Sequence, residues 1–345
     1  MTHNKQNPDF LHIGDKILKW YEVHGRDLPF RKTKDPYKIW ICEIVFQQTR
    51  ISQGLNHYEN FVKRFPDVKT LSEANSEEVM LYWKGLGYYS RALNIHKASK
   101  QIMQDFDGVF PKNYDDILSL KGIGKYTAAA ISSICFLEQR PAIDGNFYRV
   151  LSRIFADDFD ISLSTAFDYF SVISKKVMPS NQAGNFNQAM MDLGSEICKP
   201  KNPSCEICPV NEDCTAFQTG TVSKFPVKIK KTVPKNLKLQ YYFVSYKESF
   251  LIKQRDESFI WKKLFEFPTT IPEHFEGLNY KPTIIKHKLT HLNLEIEIHR
   301  IDLTSEKDFK NFSEKEGFMI SNGEDFHSKS FPKPFENYIK KHFRV

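Results

Sequence analysis

Two carboxylic acids stand in contexts that suit acid and base chemistry. Glu43 lies inside an apolar helical stretch, where loss of water raises the pKa of a carboxyl group and prepares it as a general acid. Asp144 directly precedes a helical segment, and the free amides of a helix N-terminus hold a carboxylate ionised. One raised and one lowered carboxyl pKa together suit cleavage of a glycosidic bond through an oxocarbenium-like state. The alternatives are a solvated glutamate on a helix surface and an aspartate that only caps a helix.

Four of the six cysteines crowd into one short segment that is rich in proline. Their spacing, C-x6-C-x2-C-x5-C, predicts a loop that wraps a single metal centre. These cysteines are Cys198, Cys205, Cys208 and Cys214. Cys42 and Cys135 stand alone in apolar stretches, where we expect small buried side chains.

A glycine turn leads directly into an alanine-rich helix at residues 120–128. Gly122 and Gly124 allow another surface to approach closely, and the exposed amides of a helix N-terminus attract anions such as a DNA phosphate. Lys125 places a positive charge at the same point. A bare G-x-G is equally compatible with a purely structural turn.

The elements that must position these groups differ between the two parts of the chain. The first two-thirds has helical periodicity, and capping residues or turns predict helices that begin at Pro36, Ser76, Ser90, Lys125, Asn146, Thr165 and Gly184. Further on, 239–245 and 250–255 predict a hairpin, and the alternation in 292–298 predicts a half-buried strand. We therefore predict a helical domain at 1–222 that includes a metal loop at 198–214, a basic linker at 223–238, and an α+β domain at 239–345.

The composition restricts the class of protein. The chain has 345 residues, of which 41% are hydrophobic and 26% charged, so a disordered or fibrous protein is excluded. No apolar run is long enough to span a membrane or to act as a signal sequence, so we expect a cytoplasmic protein, and we expect it to be a monomer. The net charge of +7 permits a polyanionic partner.

The glycine hairpin, Asp144 and the cysteine cluster together resemble the endonuclease III superfamily of DNA glycosylases. Within it, segments 40–49, 85–92 and 186–194 are similar to those of the adenine DNA glycosylase (MutY) family. The resemblance runs from about residue 17 to residue 226. It implies a mainly α helix-hairpin-helix glycosylase domain that removes adenine opposite 8-oxoguanine or guanine in double-stranded DNA, a step of base-excision repair.

The resemblance implies that the four cysteines bind a [4Fe-4S] cluster, which holds a basic DNA-contacting loop. Cluster binding needs reduced thiolates, which fits the expected cytosolic setting. Zinc is the alternative for a loop of four cysteines, although the six-two-five spacing favours the cluster.

The resemblance also assigns roles in the reaction. Glu43 would protonate ring nitrogen N7 of a flipped adenine, and Asp144 with Asn146 would stabilise or capture the cationic sugar before water completes hydrolysis. Tyr126 occupies the position of the Schiff-base lysine of strand-cutting relatives, so we expect a monofunctional enzyme and a hydrogen bond from Tyr126 within the carboxylate pair. Positions that penetrate the duplex match Gln48 and Tyr88. Positions around the flipped adenine match Arg26, Leu28, Phe30, where tryptophan is frequent, and Gln188.

The C-terminal domain resembles the Nudix-like module of the same enzymes, most clearly at 251–255 and 261–268. The hydrolase signature G-x5-E-x7-R-E-x2-E-E is absent after Pro268, so pyrophosphate hydrolysis is not predicted. Residues 289–291 align with a loop that reads 8-oxoguanine, and we assign recognition to Thr290 and His291. The alternative for this segment is an ordinary strand-entry loop.

Two other functions remain open at this point. A bifunctional glycosylase and lyase of the endonuclease III kind, acting on damaged pyrimidines, is disfavoured by Tyr126 and by the appended domain. A non-catalytic iron-sulfur protein that only binds DNA would need neither Glu43 nor Asp144.

Overall fold

The computed structural model describes residues 10–229, 233–276 and 281–343, which form two compact units. Unit 1 comprises 10–74 and 94–229, and unit 2 comprises 75–93 together with the described residues from 233 onward. A helical part followed by an α+β part was predicted and is confirmed. The domain boundaries proposed above, with a linker at 223–238, stay a prediction; the first strand begins at Lys235.

Helices dominate the chain before that strand. They are α1 (Leu11–His24), α2 (Pro36–Val45), α3 (Ile51–Arg64), α4 (Val68–Glu73), α5 (Ser76–Tyr82), α6 (Ser90–Asp105), α7 (Tyr114–Ser119), α8 (Lys125–Phe136), α9 (Gly145–Phe155), α10 (Ala166–Val177), α11 (Ala183–Asp192) and α12 (Thr215–Gln218). All seven helices predicted from the sequence are present. The sequence reasoning missed α1, α3, α4, α7 and α12. Of these, α1, α3 and α12 begin without a side-chain cap, whereas Asp67 and Asn113 cap α4 and α7.

Close packing around α8 brings the elements of unit 1 together. The N-terminal half of α8 is rich in alanine, and Ala128, Ala129 and Ala130 are fully buried. A Cβ atom on Gly184 of α11 would lie 2.9 Å from the Cα atom of Ile134, so this glycine lets the two helices approach closely. The small residues therefore determine how near α11 lies to α8.

The helix predicted to begin at Gly184, which the sequence pattern extends to residue 197, does not continue as one regular helix. After α11 the chain forms a π-helical turn at Leu193–Ile197, which ends at Cys198. Such turns widen a helix by one residue and are frequent at functional sites.

Unit 2 contains a six-stranded sheet. Its strands are β1 (Lys235–Tyr246), β2 (Ser249–Gln254), β3 (Phe265–Glu266), β4 (Thr283–Lys288), β5 (Leu292–Asp302) and β6 (Met319–Asn322). β1 pairs in parallel with β5 and antiparallel with β2, while β4 pairs antiparallel with β5 and both β3 and β6 pair antiparallel with β2. The remaining helices are α13 (Glu273–Glu276), α14 (Glu306–Glu316), α15 (Asp325–Ser328) and α16 (Lys333–His342).

Two predictions for unit 2 are confirmed. The expected hairpin exists as β1 and β2, which pair through Ser245 and Phe250. The alternation in β5 buries Leu292, Leu294, Ile296 and Ile298 in one hydrophobic cluster. Among the residues that the structure describes, no helix is long and apolar enough to cross a membrane.

Candidate active site

Glu43 lies in the last half of α2, a helix whose other residues are mostly buried. Asp35 caps this helix by accepting a hydrogen bond from the Tyr37 amide, and Pro36 follows at the first helical position. The hydroxyl of Tyr126, near the start of α8, donates to Oε2 of Glu43 over 2.8 Å. The hydrogen bond expected of Tyr126 is therefore present, and it joins residues 83 positions apart.

The protein environment raises the pKa of Glu43 to about 7, mainly because the carboxyl is buried. The hydrogen bond from Tyr126 opposes this shift, as does the positive charge of Arg31, whereas the negative charge of Asp144 adds to it. Glu43 therefore carries its proton below about pH 7 and loses it above that pH. Because its side chain keeps some solvent access, it can deliver that proton to a bound molecule.

Asp144 is the N-cap of α9 and accepts three hydrogen bonds. Its Oδ1 accepts from the backbone amides of Asn146 and Phe147, each over 2.9 Å, and its Oδ2 accepts from Nδ2 of Asn146 over 2.7 Å. The influence of Asp144 on the pKa of both Glu43 and Tyr126 places the two carboxylates within electrostatic range of each other.

The expectation of a lowered pKa at Asp144 is wrong. Burial raises its pKa above the usual value, and this effect exceeds the opposing effects of the two amides, the Asn146 side chain and the Arg149 charge. The sequence reasoning considered only the amides of the helix N-terminus, whereas the surrounding protein also removes water from Asp144 and thereby penalises the charged form. Its hydrogen-bond donors nonetheless all favour the carboxylate.

Arg149 holds Asn146 in place and was not identified from the sequence. Its Nη2 donates to Oδ1 of Asn146 over 2.7 Å and to the Gly194 carbonyl over 2.8 Å, and its Nε donates to the Cys198 carbonyl over 2.7 Å. A Cβ atom on Gly194 would lie 2.5 Å from Cβ of Asn146, so glycine is needed there. The sequence signal for this contact was the position of Arg149 one helical turn after Asn146, on the same face of α9.

Three of the four residues predicted around the flipped base line one cavity of about 380 Å³: Arg26, Leu28 and Gln188. Gln188 accepts a hydrogen bond from the Tyr21 hydroxyl over 2.7 Å. Phe30 is not among the lining residues; its ring packs against Phe46, with a centroid separation of 4.9 Å.

Asp192, at the end of α11, organises the same cavity and was also missed. Its carboxylate is fully buried and binds Arg26 and Arg31, with Oδ1 2.8 Å from Nε of Arg26 and Oδ2 2.6 Å from Nη1 of Arg31. These interactions lower its pKa despite burial. A buried carboxylate needs such partners, but they lie more than 160 positions away in the sequence.

The four clustered cysteines line one enclosed cavity, together with apolar side chains and Arg153. Nη1 of Arg153 donates to Sγ of Cys198 over 3.3 Å, so a positive charge lies beside this sulfur atom. Burial raises the pKa of Cys208 to about 12, so its thiolate requires a bound metal. In the described part of the chain no group of three or more ligands is close enough to hold a single ion, whereas the shared cavity suits a larger inorganic cluster.

The predicted glycine hairpin precedes α8. Gly122 has a φ of 80°, and a Cβ atom on it would lie 2.5 Å from Cβ of Asn94. Gly124 is the N-cap of α8, and a Cβ atom there would meet nothing within 4 Å. Lys125 donates to both carboxylate oxygens of Asp168, over 2.7 Å and 3.0 Å.

The two residues predicted to penetrate a duplex share an unusual backbone. Gln48 in unit 1 has a φ of 58° and Tyr88 in unit 2 has a φ of 46°, and both side chains are exposed. Left-handed backbone is uncommon in residues other than glycine and concentrates at functional sites.

Thr290 and His291 form the exposed tip between β4 and β5. The amide of Leu289 donates to the Leu292 carbonyl over 2.8 Å, which closes the tip. The side chain of Leu289 packs against the hydrophobic cluster of the sheet. Within unit 2, the Tyr88 hydroxyl lies 3.2 Å from Oγ1 of Thr290.

Three family models match the chain. Residues 41–164 match the HhH-GPD superfamily base excision DNA repair protein, 198–214 the iron-sulfur binding domain of endonuclease III, and 240–341 the NUDIX domain. The cysteine loop thus holds a [4Fe-4S] cluster, which accounts for the shared cavity. The helix-hairpin-helix glycosylase fold and the Nudix-like fold predicted from the sequence are both confirmed.

Relatives and solved structures agree with these matches. The chain is 34% identical over 337 residues to the adenine DNA glycosylase of Buchnera aphidicola subsp. Schizaphis graminum, covering 94% of this chain and 96% of that protein. It superposes on a thermostable thymine-DNA glycosylase with a TM-score of 0.55 and 27% identity, over 60% of this chain and 96% of the other. A trapped complex of endonuclease III with DNA, at 20% identity and a TM-score of 0.53 over 61% and 95% of the two chains, shares the fold.

Proposed function

Because this chain belongs to the adenine DNA glycosylase family, we propose that it removes adenine paired with 8-oxoguanine or guanine in double-stranded DNA. It is a DNA glycosylase that hydrolyses N-glycosyl bonds, and DNA is its substrate. Three parts of this function are our proposal: the choice of the opposite base, the roles of individual residues and the restriction to base removal.

The observation that carries the proposal is the combination of Glu43, whose pKa of about 7 lets it carry a proton near neutrality, with Asp144, whose three hydrogen-bond donors all favour its carboxylate form. Glu43, with a pKa of about 7, donates its proton to N7 of adenine, so that a neutral base leaves. Asp144, held by three hydrogen bonds, stabilises the positive sugar or captures it covalently until water completes hydrolysis. Asn146 orients Asp144 in this scheme.

Adenine must leave the duplex to meet these groups. We propose that the cavity whose lining includes Arg26, Leu28 and Gln188 forms part of the receptor; Glu43 and Asp144 are not among its lining residues. Arg26 and Arg31, which both line this cavity, are held by Asp192. Gln48, Tyr88, Gly122, Gly124 and Lys125 are the proposed DNA contacts.

We propose that the enzyme stops at base removal. Tyr126 offers a hydroxyl, already donated to Glu43, where Schiff-base chemistry needs an amine. The Lys125 ammonium group is bound to Asp168. Product strands should therefore stay intact until alkali is added, and borohydride should trap little adduct. Efficient trapping through Lys121 or Lys125 would contradict this assignment.

Recognition of 8-oxoguanine is assigned to Thr290 and His291. A hydroxyl and an imidazole at an exposed hairpin tip can hydrogen-bond to the altered edge of 8-oxoguanine. Each such bond contributes about 1 kcal/mol, so the pair gives a preference of roughly ten- to thirtyfold over guanine. Replacing both residues by alanine should remove most of that preference, whereas Thr269→Ala, at an exposed threonine elsewhere in unit 2, should leave it unchanged.

One assay tests the function as a whole. Duplexes containing adenine opposite 8-oxoguanine, adenine opposite guanine, or thymine glycol are incubated with the protein and analysed with and without alkali. We expect adenine release from the first two and no cleavage of thymine glycol. Strand cutting at thymine glycol without alkali would support an endonuclease III-like lyase instead.

All the proposed catalytic groups come from a single chain, so we propose that the monomer is sufficient. Sedimentation of the enzyme with a duplex containing one mispair should show one protein per duplex, and a rate that is independent of protein association.

A further inference from the structure

The turn that carries Tyr88 has an unfavourable backbone conformation. Tyr88 lies between two α-helices, α5 and α6, directly after Gly87, and both residues have positive φ angles, 46° and 70°. The tyrosine side chain is 52% exposed. A large side chain in the left-handed region costs of the order of 1–2 kcal/mol, so neighbouring groups must stabilise this arrangement.

The two flanking helices each supply a donor to the turn. Nε1 of Trp83, the C-cap residue directly after α5, donates to the Gly87 carbonyl over 3.1 Å. Nη2 of Arg91, in the first turn of α6, donates to the carbonyls of Gly87 and Leu86, each over 3.3 Å. Trp83 is fully buried and provides a rigid base for these contacts.

The same guanidinium group also contacts two aromatic rings. Its central carbon lies 5.2 Å from the Trp83 ring centre and 5.6 Å from the Tyr88 ring centre. Arginine can donate to carbonyls and stack on rings with one planar group, which the ammonium of lysine cannot do. Burial lowers the pKa of Arg91 to about 10, so the side chain is still charged at neutral pH.

We propose that Arg91 is a positioning residue which, with Trp83, holds the turn so that Tyr88 is presented to the DNA duplex. The inference rests on the proposed function, because it takes Tyr88 as a DNA contact. Arg91 itself does not touch the reacting base in this scheme. It acts on the strength and selectivity of mispair binding, and not on the chemistry at Glu43.

Two simpler roles for Arg91 make different predictions. As a cation for a DNA phosphate, it would be replaced well by lysine. As a residue needed only for folding, its loss would lower thermal stability and catalytic rate together. A positioning residue loses its effect when Tyr88 is absent, which neither alternative predicts.

The experiment is a double-mutant cycle in the full chain. Arg91→Lys, Tyr88→Ala and the double variant are compared for equilibrium binding to a duplex with 8-oxoguanine opposite a 2′-fluoro-adenosine, which is not cleaved. Single-turnover adenine release at saturating protein is measured alongside. Arg64→Lys is the matched control, since its guanidinium lies 4.9 Å from the Phe65 ring centre, outside unit 2.

We expect Arg91→Lys to weaken binding about tenfold, as loss of hydrogen bonds and ring contact would. The rate at saturation should change less than about twofold, because the groups of the reaction are untouched. In the Tyr88→Ala background, Arg91→Lys should have no further effect on binding. Trp83→Phe, which keeps a ring but removes the donor to Gly87, should act in the same direction with a smaller effect.

Several outcomes would overturn the inference. Parent-like binding by Arg91→Lys would show that Arg91 contributes only its positive charge, or nothing, to DNA binding. An undiminished effect of Arg91→Lys in the Tyr88→Ala background would show that Arg91 acts elsewhere. If Tyr88→Ala itself binds like the parent while adenine is still released opposite 8-oxoguanine, the positioning role is lost and the proposed function stands. If no adenine is released by the parent protein, the proposed function fails independently of the cycle.

The thermal midpoint and the iron content show whether Arg91→Lys folds normally. If it does not, the same cycle is carried out with Trp83→Phe, alone and combined with Tyr88→Ala.

Discussion

Glu43 and Asp144 are the same functional group placed in two different ways. Glu43 lies within a helix and accepts one side-chain hydrogen bond, from Tyr126. Asp144 lies at the start of a helix and accepts three. Burial raises the pKa of both. The two carboxyl groups differ in the number of donors that favour the charged form, and this difference suits Glu43 to the proposed role of acid and Asp144 to that of carboxylate.

The two carboxyl groups also differ in what they cost the stability of the folded protein. An ionised Glu43 has little compensation for lost water, so the folded protein bears a cost when that proton leaves. At Asp144 the two backbone amides would need a partner in any case, since they belong to a helix N-terminus. The aspartate position serves both the helix and the reaction, whereas the glutamate position serves the reaction at the expense of stability.

The largest expected effect is at Glu43. Glu43→Gln should lower the single-turnover rate of adenine release by about 10²- to 10⁴-fold, because an amide cannot donate the required proton. Binding of the uncleaved duplex should stay near the parent value. Glu59→Gln, a charge removed from the exposed surface of α3, is the control. Near-normal release by Glu43→Gln would remove it from the mechanism.

The same substitution should stabilise the free protein at high pH. The pKa of Glu43 is raised from 4.5 to about 7, so its protonated form is favoured in the folded state. That contribution is complete below pH 4.5 and is lost as the pH rises through about 7. At pH 8, Glu43→Gln should thus gain about 3 kcal/mol at most, seen as a higher thermal midpoint, and the gain should shrink towards pH 4.5. An equal gain at every pH would show that ionisation is not the cause.

Asp144→Asn should slow adenine release by about 10²- to 10³-fold, since a neutral amide no longer offsets the sugar charge. The two backbone hydrogen bonds can persist, because asparagine also caps helices. Its amide group would, however, meet the donor Nδ2 of Asn146. The stability gain at pH 8 should accordingly be smaller than for Glu43→Gln. A folded variant that releases adenine at the parent rate would leave Asp144 as a helix cap only.

Gly194→Ala tests whether Asp144 depends on its neighbours. The added Cβ atom would lie 2.5 Å from Cβ of Asn146. Asn146 must therefore shift, which disturbs the hydrogen bond from its Nδ2 to Asp144. Overpacking of this kind costs about 1–3 kcal/mol, and we expect a ten- to hundredfold slower single-turnover rate. Gly145→Ala controls for loss of a glycine, since a Cβ atom there meets nothing within 4 Å and thermal stability should be unchanged. A parent-like rate for Gly194→Ala would separate Asn146 from the reaction.

The smallest expected change concerns pH. The proton on Glu43 is required, so the rate should fall as the pH rises through about 7. Tyr126→Phe removes a hydrogen bond that lowers this pKa, so the descending limb of the pH–rate profile should move to higher pH. A limb that stays in place would mean that another group controls it.

Local features were predictable wherever one short segment contains all that it needs. The capping Asp35 with Pro36 predicts α2, the four cysteines predict a metal loop, and Asp144 predicts the start of α9. Among the missed helices, α3 follows Arg50, which provides no side-chain cap, whereas the short helices α4 and α7 were missed although Asp67 and Asn113 cap them. Family resemblance added the roles that spacing alone could not assign.

The sequence by itself thus determined which side chains capable of chemistry are present, where most helices begin, and which family the chain resembles. Tertiary structure alone decided their surroundings. Asp192 meets Arg26 and Arg31 across more than 160 positions, Tyr126 meets Glu43 across 83, and Arg149 meets the Cys198 carbonyl across 49. The direction of the pKa shift at Asp144 also depended on burial by distant segments. The physical reason is that capping and turn formation act over a few neighbouring residues, whereas desolvation and ion pairing depend on everything that folding brings within a few ångströms.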